Sequence, residues 1–210
     1  MSTVQKIKGF ADMFSPESDA FTFMEGVGRE VFGSYGYTEL RTPILERTEL
    51  FKRSLGDETD VVQKEMYTFD DRKGRSLTMR PEATAGVMRA YIEANVHAQE
   101  QVAKLFTFGP MFRYERPQKG RMRQFHQINC ECLGPDEPYA DAEVILMLMT
   151  FLTRIGLTEL SLEINSLGCR ECRPQYNAAL KAFFAGLDAG ALCEDCRRRM
   201  DTNPLRVLDC

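Results

Sequence analysis

Two apolar segments separated by an arginine-rich turn constrain the fold of this chain more than any other sequence feature. Residues 105–112 read LFTFGPMF, and residues 123–131 read RQFHQINCE. Segments of this kind favour strands, so we predict two strands, at 104–115 and 123–132, joined as a hairpin by the turn. The region of the turn carries five cations: Arg113, Arg116, Lys119, Arg121 and Arg123.

The chemistry of this basic turn indicates an anionic ligand. Guanidinium groups pair bidentately with carboxylate and phosphate oxygens, so several arginines on two strands form a cradle for phosphates. Glu115 lies among these cations, where a clamp for phosphate alone has no need of it. A carboxylate there predicts a ligand that also offers donors, such as an adenine amino group or a ribose hydroxyl. The alternative is a solvated, charged hairpin without a ligand.

Charge and composition limit the classes of ligand and location. The 210 residues carry a net charge of −4, so the positive charge at the turn is local and favours a discrete anion over a broad nucleic-acid surface. No apolar run approaches the ~20 residues that span a bilayer, and the N-terminus lacks the pattern of a signal peptide. Seven cysteines in a chain without an export signal predict a reducing compartment, so we expect a cytoplasmic protein without a membrane partner.

The order of the predicted elements favours an α+β fold. Helices are predicted at 15–35, 49–55, 82–95, 139–155, 174–186 and 193–201, with Ser15 and Thr48 as caps of the first two. Strands are predicted at 37–40, 66–70, 76–79 and 160–164, in addition to the hairpin. This order predicts an antiparallel sheet flanked by helices. The sequence has no glycine-rich phosphate loop before a helix, so any nucleotide must be held by side chains on the sheet.

Three segments together resemble the class II aminoacyl-tRNA synthetases. Residues 29–43, REVFGSYGYTELRTP, are similar to the first signature of that class, a long helix and a strand that end in proline. Residues 112–127 resemble its second signature, the FRxE strand–loop–strand. Residues 78–86, TMRPEATAG, resemble the amino-acid-binding segment of the histidyl-tRNA synthetase family in particular. The resemblance covers nearly the whole chain and implies the antiparallel catalytic sheet of that class.

The resemblance implies a ligase that activates L-histidine with ATP and Mg²⁺ and transfers it to tRNA(His). Arg113 is expected to bridge the histidine carboxylate and the α-phosphate. In the ATP site, Glu115 would accept from the adenine amino group, Phe125 would stack on the ring and Arg121 would reach the γ-phosphate. The residues implied at the histidine site are Glu82, Ala83, Thr84, Arg113, Gln127 and Glu131.

Several of these assignments have a structural alternative. Glu82 also suits the first turn of a helix, where the helix dipole favours a carboxylate. Phe125 could be a core residue, the commoner fate of an aromatic side chain in a strand. Gln127 and Glu131 share the parity of Phe125, so the three side chains are expected on one face of the strand, which cannot then be plain hydrophobic core.

Two cysteine pairs have the spacing of a four-thiolate zinc site: Cys169, Cys172, Cys193 and Cys196. A zinc ion bound there would be structural and would hold a helical segment together. The alternatives are that Cys130, Cys132 or Cys210 competes as a ligand, or that the cysteines are thiols without a metal.

The resemblance also implies a homodimer, built through the first-signature helix and strand. The apolar stripe of the segment FMEGVGREVF fits that interface. The same stripe would equally serve to pack the helix on the chain's own sheet, which is the default for an amphipathic helix.

Segments that the resemblance leads us to expect later in the chain are absent. There is no second histidine-binding segment like RGLDYY, no third signature ending in GLER and no anticodon-binding domain. We therefore expect an N-terminal fragment of a longer enzyme, impaired or inactive alone. Its predicted parts are a catalytic core at 1–166 and a helical, cysteine-containing segment at 167–210.

Two other functions compete with this interpretation. The regulatory subunit of ATP phosphoribosyltransferase, a non-catalytic paralogue in histidine biosynthesis, shares the expected fold. It has little reason, however, to keep Glu115, Arg121 and Phe125 together. A zinc-ribbon nucleic-acid module would account for the cysteine pairs but not for residues 1–160.

Overall fold

The computed structural model of the chain describes residues 4–56, 59–166, 168–187, 190 and 192–209. The chain divides into two compact units, Met1–Glu159 and Leu160–Cys210. The division predicted from the sequence, into a catalytic core at 1–166 and a helical segment at 167–210, stays a prediction. Within the described ranges, no helix is both long and apolar enough to cross a membrane.

The first unit combines helices with two small sheets, so the predicted α+β fold is confirmed. Its elements are α1 (Glu17–Ser34), β1 (Thr38–Glu39), β2 (Leu45–Arg47), α2 (Thr48–Leu55), β3 (Tyr67–Asp70), β4 (Ser76–Met79), α3 (Thr84–Glu93), β5 (Ala103–Phe112), β6 (Gln124–Leu133) and α4 (Pro138–Arg154). One sheet has the order β1-β5-β6 and the other β2-β4-β3. All pairs are antiparallel except β1 with β5, which is parallel, so the first sheet is mixed.

The hairpin of β5 and β6 is the longest strand pair and confirms the prediction from the two apolar segments. Ten residues of each strand pair in register, from Ala103 opposite Leu133 to Phe112 opposite Gln124. Successive side chains of a strand point to opposite faces of the sheet. Phe106 and Phe108 therefore share one face of β5, while Thr107 belongs to the other.

Helices α1 and α4 cover the first of these faces and form the core of the unit. The core residues are Val27, Val31, Phe32, Tyr37, Phe106, Met147 and Phe151. The apolar helix α4 thus packs on this face of the sheet. Gly28 brings α1 close to β5, because a Cβ at this position would lie 2.7 Å from Cζ of Phe108. An ion pair between Arg154 of α4 and Glu30 of α1, at 2.5 Å, joins the two helices at the surface.

The buried side chain of Arg80 joins the end of β4 to β5. Its Nε donates to the carbonyl of Pro110 at 2.9 Å, and its Nη1 donates to the carbonyl of Thr42 at 3.0 Å. Gly109 leaves room for this guanidinium, since a Cβ there would collide with Nη2. The backbone N–H of Phe112 also donates to the carbonyl of Arg80, at 3.0 Å. These contacts hold the segment after β4 beside the C-terminal end of β5, next to the turn of the hairpin.

Three local predictions are wrong. Ser15 does not cap α1, because its hydroxyl donates to the Asp19 carboxylate at 2.5 Å, and Pro16 holds the cap position without a side-chain bond. Thr48 is the first residue of α2, and its buried hydroxyl bonds to the hydroxyls of Ser76 and Thr78. Residues 160–164 form no strand, since alternation alone supplies no partner for the backbone.

The second unit is helical. Its elements are α5 (Cys172–Ala185), α6 (Glu194–Thr202) and a 3₁₀ turn at Pro204–Asp209. The two helices predicted around 174–186 and 193–201 are confirmed, with shifts of one or two residues at their ends. A small core of its own contains Phe184, Cys196 and Val207.

Candidate functional site

The face of the hairpin turned away from α1 and α4 carries the predicted ligand-binding residues of β6. Phe125, Gln127, Asn129 and Glu131 occupy alternate positions, so they share this face, and all four are partly buried. Opposite them on β5, Gly109 pairs with Gln127 and supplies no side chain. The predicted common face of Phe125, Gln127 and Glu131 is therefore present, and it is polar.

Arg113 lies where β5 runs into the loop, between the hairpin and the segment after β4. Its Nε donates to the carbonyl of Pro81 at 2.9 Å. The guanidinium carbon lies 5.3 Å from the centre of the Phe125 ring, within the range of a cation–π contact. Its Nη1 lies 4.0 Å from the Glu115 carboxylate. One donor of the fork is thus fixed by backbone, and the others remain close to the face of β6.

Glu115 lies between two arginines. Besides Arg113, it faces Arg121, whose Nη1 is 3.4 Å from its Oε2. Arg121 is two-thirds exposed, at 67%, so its guanidinium is able to follow a ligand, whereas Glu115 is mostly covered. Burial and the charge of Glu115 raise the pKa of the neighbouring Glu65 carboxyl above its usual range. This end of the site thus contains carboxylates and cations in close alternation.

Glu82 has a clear structural task. Its two carboxylate oxygens accept the backbone N–H groups of Thr84, at 2.6 Å, and Ala85, at 2.9 Å, at the start of α3. These donors have no partner inside the helix, so the carboxylate stabilises the helix end and interacts favourably with its dipole. Glu82 therefore acts on the helix start, as the alternative interpretation expected, but it lies two residues before α3 and not in its first turn. A role at the histidine site stays a prediction. It is compatible with these two hydrogen bonds, because each carboxylate oxygen has a further lone pair that can accept from a ligand.

Asn129 joins the two halves of the predicted histidine site, and the sequence analysis missed it. Its Nδ2 donates to Oγ1 of Thr84 at 3.3 Å and to Oε1 of Glu131 at 3.2 Å. The amide therefore holds the Glu131 carboxylate and the Thr84 hydroxyl in one arrangement across the start of α3 and β6. The signal was available, because Asn129 shares the parity of Gln127 and Glu131.

Three buried oxygen atoms on this face have no hydrogen-bond partner among the described residues: Oγ1 of Thr107, Oε1 of Gln127 and Oδ1 of Asn129. Thr107 and Asn129 are direct neighbours across the hairpin. A buried polar atom without a partner costs roughly 1–3 kcal/mol, so this cluster favours a bound water or ligand that supplies hydrogen-bonding groups.

The other cations of the turn divide into structural and exposed residues. Arg123 stacks on the Tyr114 ring, 3.8 Å from its centre, and its Nε donates to the carbonyl of Glu115 at 3.1 Å. It therefore shapes the loop. Arg116 and Lys119 are exposed, as expected of solvated turn charges.

Comparison with known proteins decides the family. The sequence model described as "Histidyl-tRNA synthetase" matches residues 9–192 of this chain. The chain belongs to the histidyl-tRNA synthetase family. It is 82% identical to a histidine–tRNA ligase of Oleidesulfovibrio alaskensis over 210 residues, which is all of this chain and 50% of that protein. A histidine–tRNA ligase of Nitratidesulfovibrio vulgaris is 77% identical over the same length. The chain thus spans about half the length of these curated relatives.

Solved structures agree with this assignment to the histidyl-tRNA synthetase family. The crystal structure of apo Staphylococcus aureus histidyl-tRNA synthetase superposes with a TM-score of 0.74 at 38% identity, covering 98% of this chain and 48% of that one. A Bacillus halodurans protein described as an ATP phosphoribosyltransferase regulatory subunit/histidyl-tRNA synthetase superposes with a TM-score of 0.69 at 19% identity. The second likeness shows a shared fold only, so it does not favour the regulatory paralogue.

The four cysteines of the predicted zinc site lie in the second unit. No three histidine, cysteine or acidic residues of the described segments lie together as metal ligands. Cys169 and Cys172 are exposed, with sulfur atoms 3.4 Å apart. Cys196 is instead completely buried beside Phe184 in the apolar core of the second unit. Zinc binding by Cys169, Cys172, Cys193 and Cys196 therefore stays a prediction.

Proposed function

We propose that this chain is the part of a histidine–tRNA ligase that binds ATP and L-histidine. In the proposed reaction the histidine carboxylate attacks the α-phosphate of magnesium-bound ATP, giving histidinyl-adenylate and pyrophosphate, and histidine is then transferred to tRNA(His). The names of relatives at 82% and 77% identity support this activity. The chain spans about half of those proteins, so their whole activity is a proposal for this chain.

In this proposal, Arg113 brings the two reacting anions together. Its Nε is already bonded to the Pro81 carbonyl, so the orientation of the guanidinium plane is fixed before a ligand binds. The remaining N–H groups would bridge the histidine carboxylate and the α-phosphate, which are otherwise mutually repelling. Positioning and charge neutralisation by a pre-oriented cation are the main routes by which such a phosphate displacement is accelerated.

The ATP base and the outer phosphate are assigned to the other residues of the loop. Phe125 would stack on adenine, and the Glu115 carboxylate would accept from its amino group. Arg121 would reach the γ-phosphate, a role supported by its exposure and by its loose pairing with Glu115. Binding of ATP would then replace an ion pair at the loop with phosphate contacts, and Mg²⁺ would accompany the nucleotide as part of the substrate.

The histidine side chain is assigned to the polar face of β6. One observation supports this most strongly: buried oxygens of Gln127 and Asn129 lack partners among the residues that the structure describes, and the Glu131 carboxylate is held beside them. Histidine supplies an ammonium group and imidazole N–H donors that complement such acceptors. Glu82, Ala83 and Thr84 would line the opposite wall of the site. A site of unpaired acceptors rejects side chains without donors strongly.

The assembly and setting of the protein are further proposals. We propose a homodimer through α1 and β1, a cytoplasmic location and no membrane partner. The side chains of Phe14 and Phe23, just before and within α1, are 78% and 55% exposed. Exposed apolar side chains at this place support an interface there.

A calorimetric titration with a non-hydrolysable histidinyl-adenylate analogue tests the proposal. The ligase of O. alaskensis serves as the reference, and the corresponding alanyl-adenylate analogue serves as the control ligand. We expect this chain to bind the histidinyl analogue at least ten-fold more tightly than the alanyl analogue, about 1.4 kcal/mol. Equal affinity for the two ligands would contradict the assignment of the β6 face, and binding by the reference alone would show that the site needs further segments.

A further inference from the structure

We propose that Cys169 and Cys172 form a redox-active dithiol, which a small-molecule disulfide oxidises to an intramolecular disulfide. Both residues belong to the second unit, and no residue assigned to ATP or histidine takes part. The inference is therefore independent of the proposed ligase function.

The two sulfur atoms are already neighbours. They lie 3.4 Å apart, both residues are exposed, and both are free thiols. The backbone N–H of Cys169 points to Sγ of Cys172 at 3.0 Å, and that of Cys172 points to Sγ of Cys169 at 3.4 Å. A disulfide bond is about 2.0 Å long, so closure requires the sulfurs to approach by little more than an ångström, a change within reach of side-chain rotation.

The loop before α5 is shaped to hold Cys172 in this position. Gly168 has φ +71°, and a Cβ at this residue would lie 2.7 Å from Sγ of Cys172. The carbonyl of Gly168 also accepts a hydrogen bond from Nη2 of Arg173 at 3.3 Å. Any other residue at 168 would both strain the backbone and displace the sulfur. The loop therefore depends on glycine for the contact between the two thiols.

Three other cysteines of the described segments are less suited to this chemistry. Cys196 is completely buried in the apolar core of its unit. Cys130 and Cys132 lie half-buried on β6, where burial raises the pKa of Cys130 to about 12. Thiol–disulfide exchange requires the thiolate form and access for the attacking disulfide, and an accessible pair satisfies the second requirement best.

The reaction consists of two exchanges that balance without another reagent. The Cys169 thiolate attacks one sulfur of glutathione disulfide, forming a mixed disulfide and releasing one glutathione thiolate. Cys172, deprotonated as it attacks, then displaces the second glutathione from Cys169. The protein loses two electrons and two protons, and one glutathione disulfide becomes two glutathione molecules.

The experiment treats the reduced, chelator-washed 210-residue chain with glutathione disulfide, blocks the remaining thiols and maps the peptides. We expect two thiols to be lost and, after cleavage at Arg170, the peptides of Cys169 and Cys172 to be joined. Cys172→Ser should instead retain glutathione on Cys169, and Cys193→Ser should behave as the unchanged chain. Gly168→Ala should slow the second exchange several-fold while leaving the first unaltered.

Three results would overturn the proposal. One is a disulfide from Cys169 or Cys172 to another cysteine. Another is that both residues remain reduced, or carry separate glutathione adducts, in the unchanged chain. The third, in a parallel sample given zinc before the oxidant, is stoichiometric zinc binding that protects Cys169, Cys172, Cys193 and Cys196 equally, because it would assign all four thiols to one metal.

Discussion

Nε of Arg113 donates to the backbone carbonyl of Pro81 at 2.9 Å, which ties the second-signature strand to the segment that begins α3. A lysine has no equivalent of Nε and carries its charge on a flexible stem. The hydrogen bond therefore makes the orientation of the Arg113 fork, and not only its charge, a property of the folded chain.

Substitution of Arg113 tests this orientation. We expect Arg113→Lys to weaken binding of the histidinyl-adenylate analogue by about ten-fold or more, close to the effect of Arg113→Ala, since the charge alone does not reproduce the fixed fork. Calorimetry on both variants measures the effect, with exposed Lys119→Ala as the control. Full affinity in Arg113→Lys would show that charge is sufficient.

The unpaired amide oxygen of Gln127 gives a second probe of the histidine site. Gln127→Ala removes an acceptor that has no partner in the described structure, so the unliganded chain should lose little stability. Binding of the histidinyl analogue should weaken by roughly 1–3 kcal/mol, because the ligand donor would then lack its acceptor. Chemical denaturation and calorimetry on the same preparation separate the two effects. A large loss of stability with unchanged affinity would make Gln127 a structural residue.

For Glu82, in contrast to Gln127, we expect substitution to lower the stability of the unliganded chain. Glu82→Ala leaves the N–H groups of Thr84 and Ala85 without their acceptor and should lower the free energy of unfolding by about 1 kcal/mol, as loss of a helix cap does. Any effect on ligand binding therefore includes a displaced α3. Glu82→Gln keeps one acceptor oxygen and serves as the comparison. If neither variant changes the denaturation midpoint, the two hydrogen bonds contribute nothing to stability.

The contrast between Gln127 and Glu82 shows where sequence patterns suffice. Strand parity placed Phe125, Gln127 and Glu131 on one face, and the structure confirms it, because alternation in a strand is fixed by backbone geometry. The same parity includes Asn129, to which the family resemblance assigns no role. The contact of Asn129 with Thr84 joins residues 45 positions apart, and only the packing of α3 against β6 creates it.

The cysteines show the limit of spacing as evidence. Two pairs with zinc-like spacing lie in one helical unit, yet Cys196 packs against apolar side chains while Cys169 and Cys172 face solvent. Spacing records distances along the chain, whereas coordination depends on the direction of each thiol. Strand β2 was not predicted for a similar reason. Its three residues form a strand because they pair with β4, and this partner is not visible in the local sequence.

Two of the three glycines of α1, Gly26 and Gly28, offer a matched test of packing. Gly28→Ala places a Cβ 2.7 Å from the Phe108 ring and should destabilise the chain by about 1–3 kcal/mol, as overpacking does. Gly26→Ala meets nothing within 4 Å and should stabilise by up to ~1 kcal/mol, because alanine favours the helix. Urea denaturation of the two variants gives the comparison. Equal changes of the same sign would contradict the close approach of α1 to β5.

The environment of Glu65 predicts a pH dependence of stability. Its pKa is raised above 4.5 in the folded chain by burial first and then by the charge of Glu115, with Asp60 acting in the same direction and Arg113 and Arg121 opposing them. When a carboxyl has a higher pKa in the folded chain than in the unfolded chain, its ionised form is disfavoured in the folded state. The free energy of unfolding therefore falls as the pH rises above the unfolded pKa. Glu65→Gln removes that loss. We therefore expect the variant to match the unchanged chain near about pH 4 and to be the more stable near about pH 7.5.

Urea denaturation at the two pH values measures this difference, and the exposed Glu100→Gln provides a control that should show no such trend. ATP should enlarge the difference if it draws Arg113 and Arg121 toward its phosphates, because these two cations favour the ionised form of the Glu65 carboxyl. If the two proteins differ in stability by the same amount at both pH values, folding does not disfavour ionisation of Glu65. The neighbouring carboxylates and cations would then not affect stability through this residue.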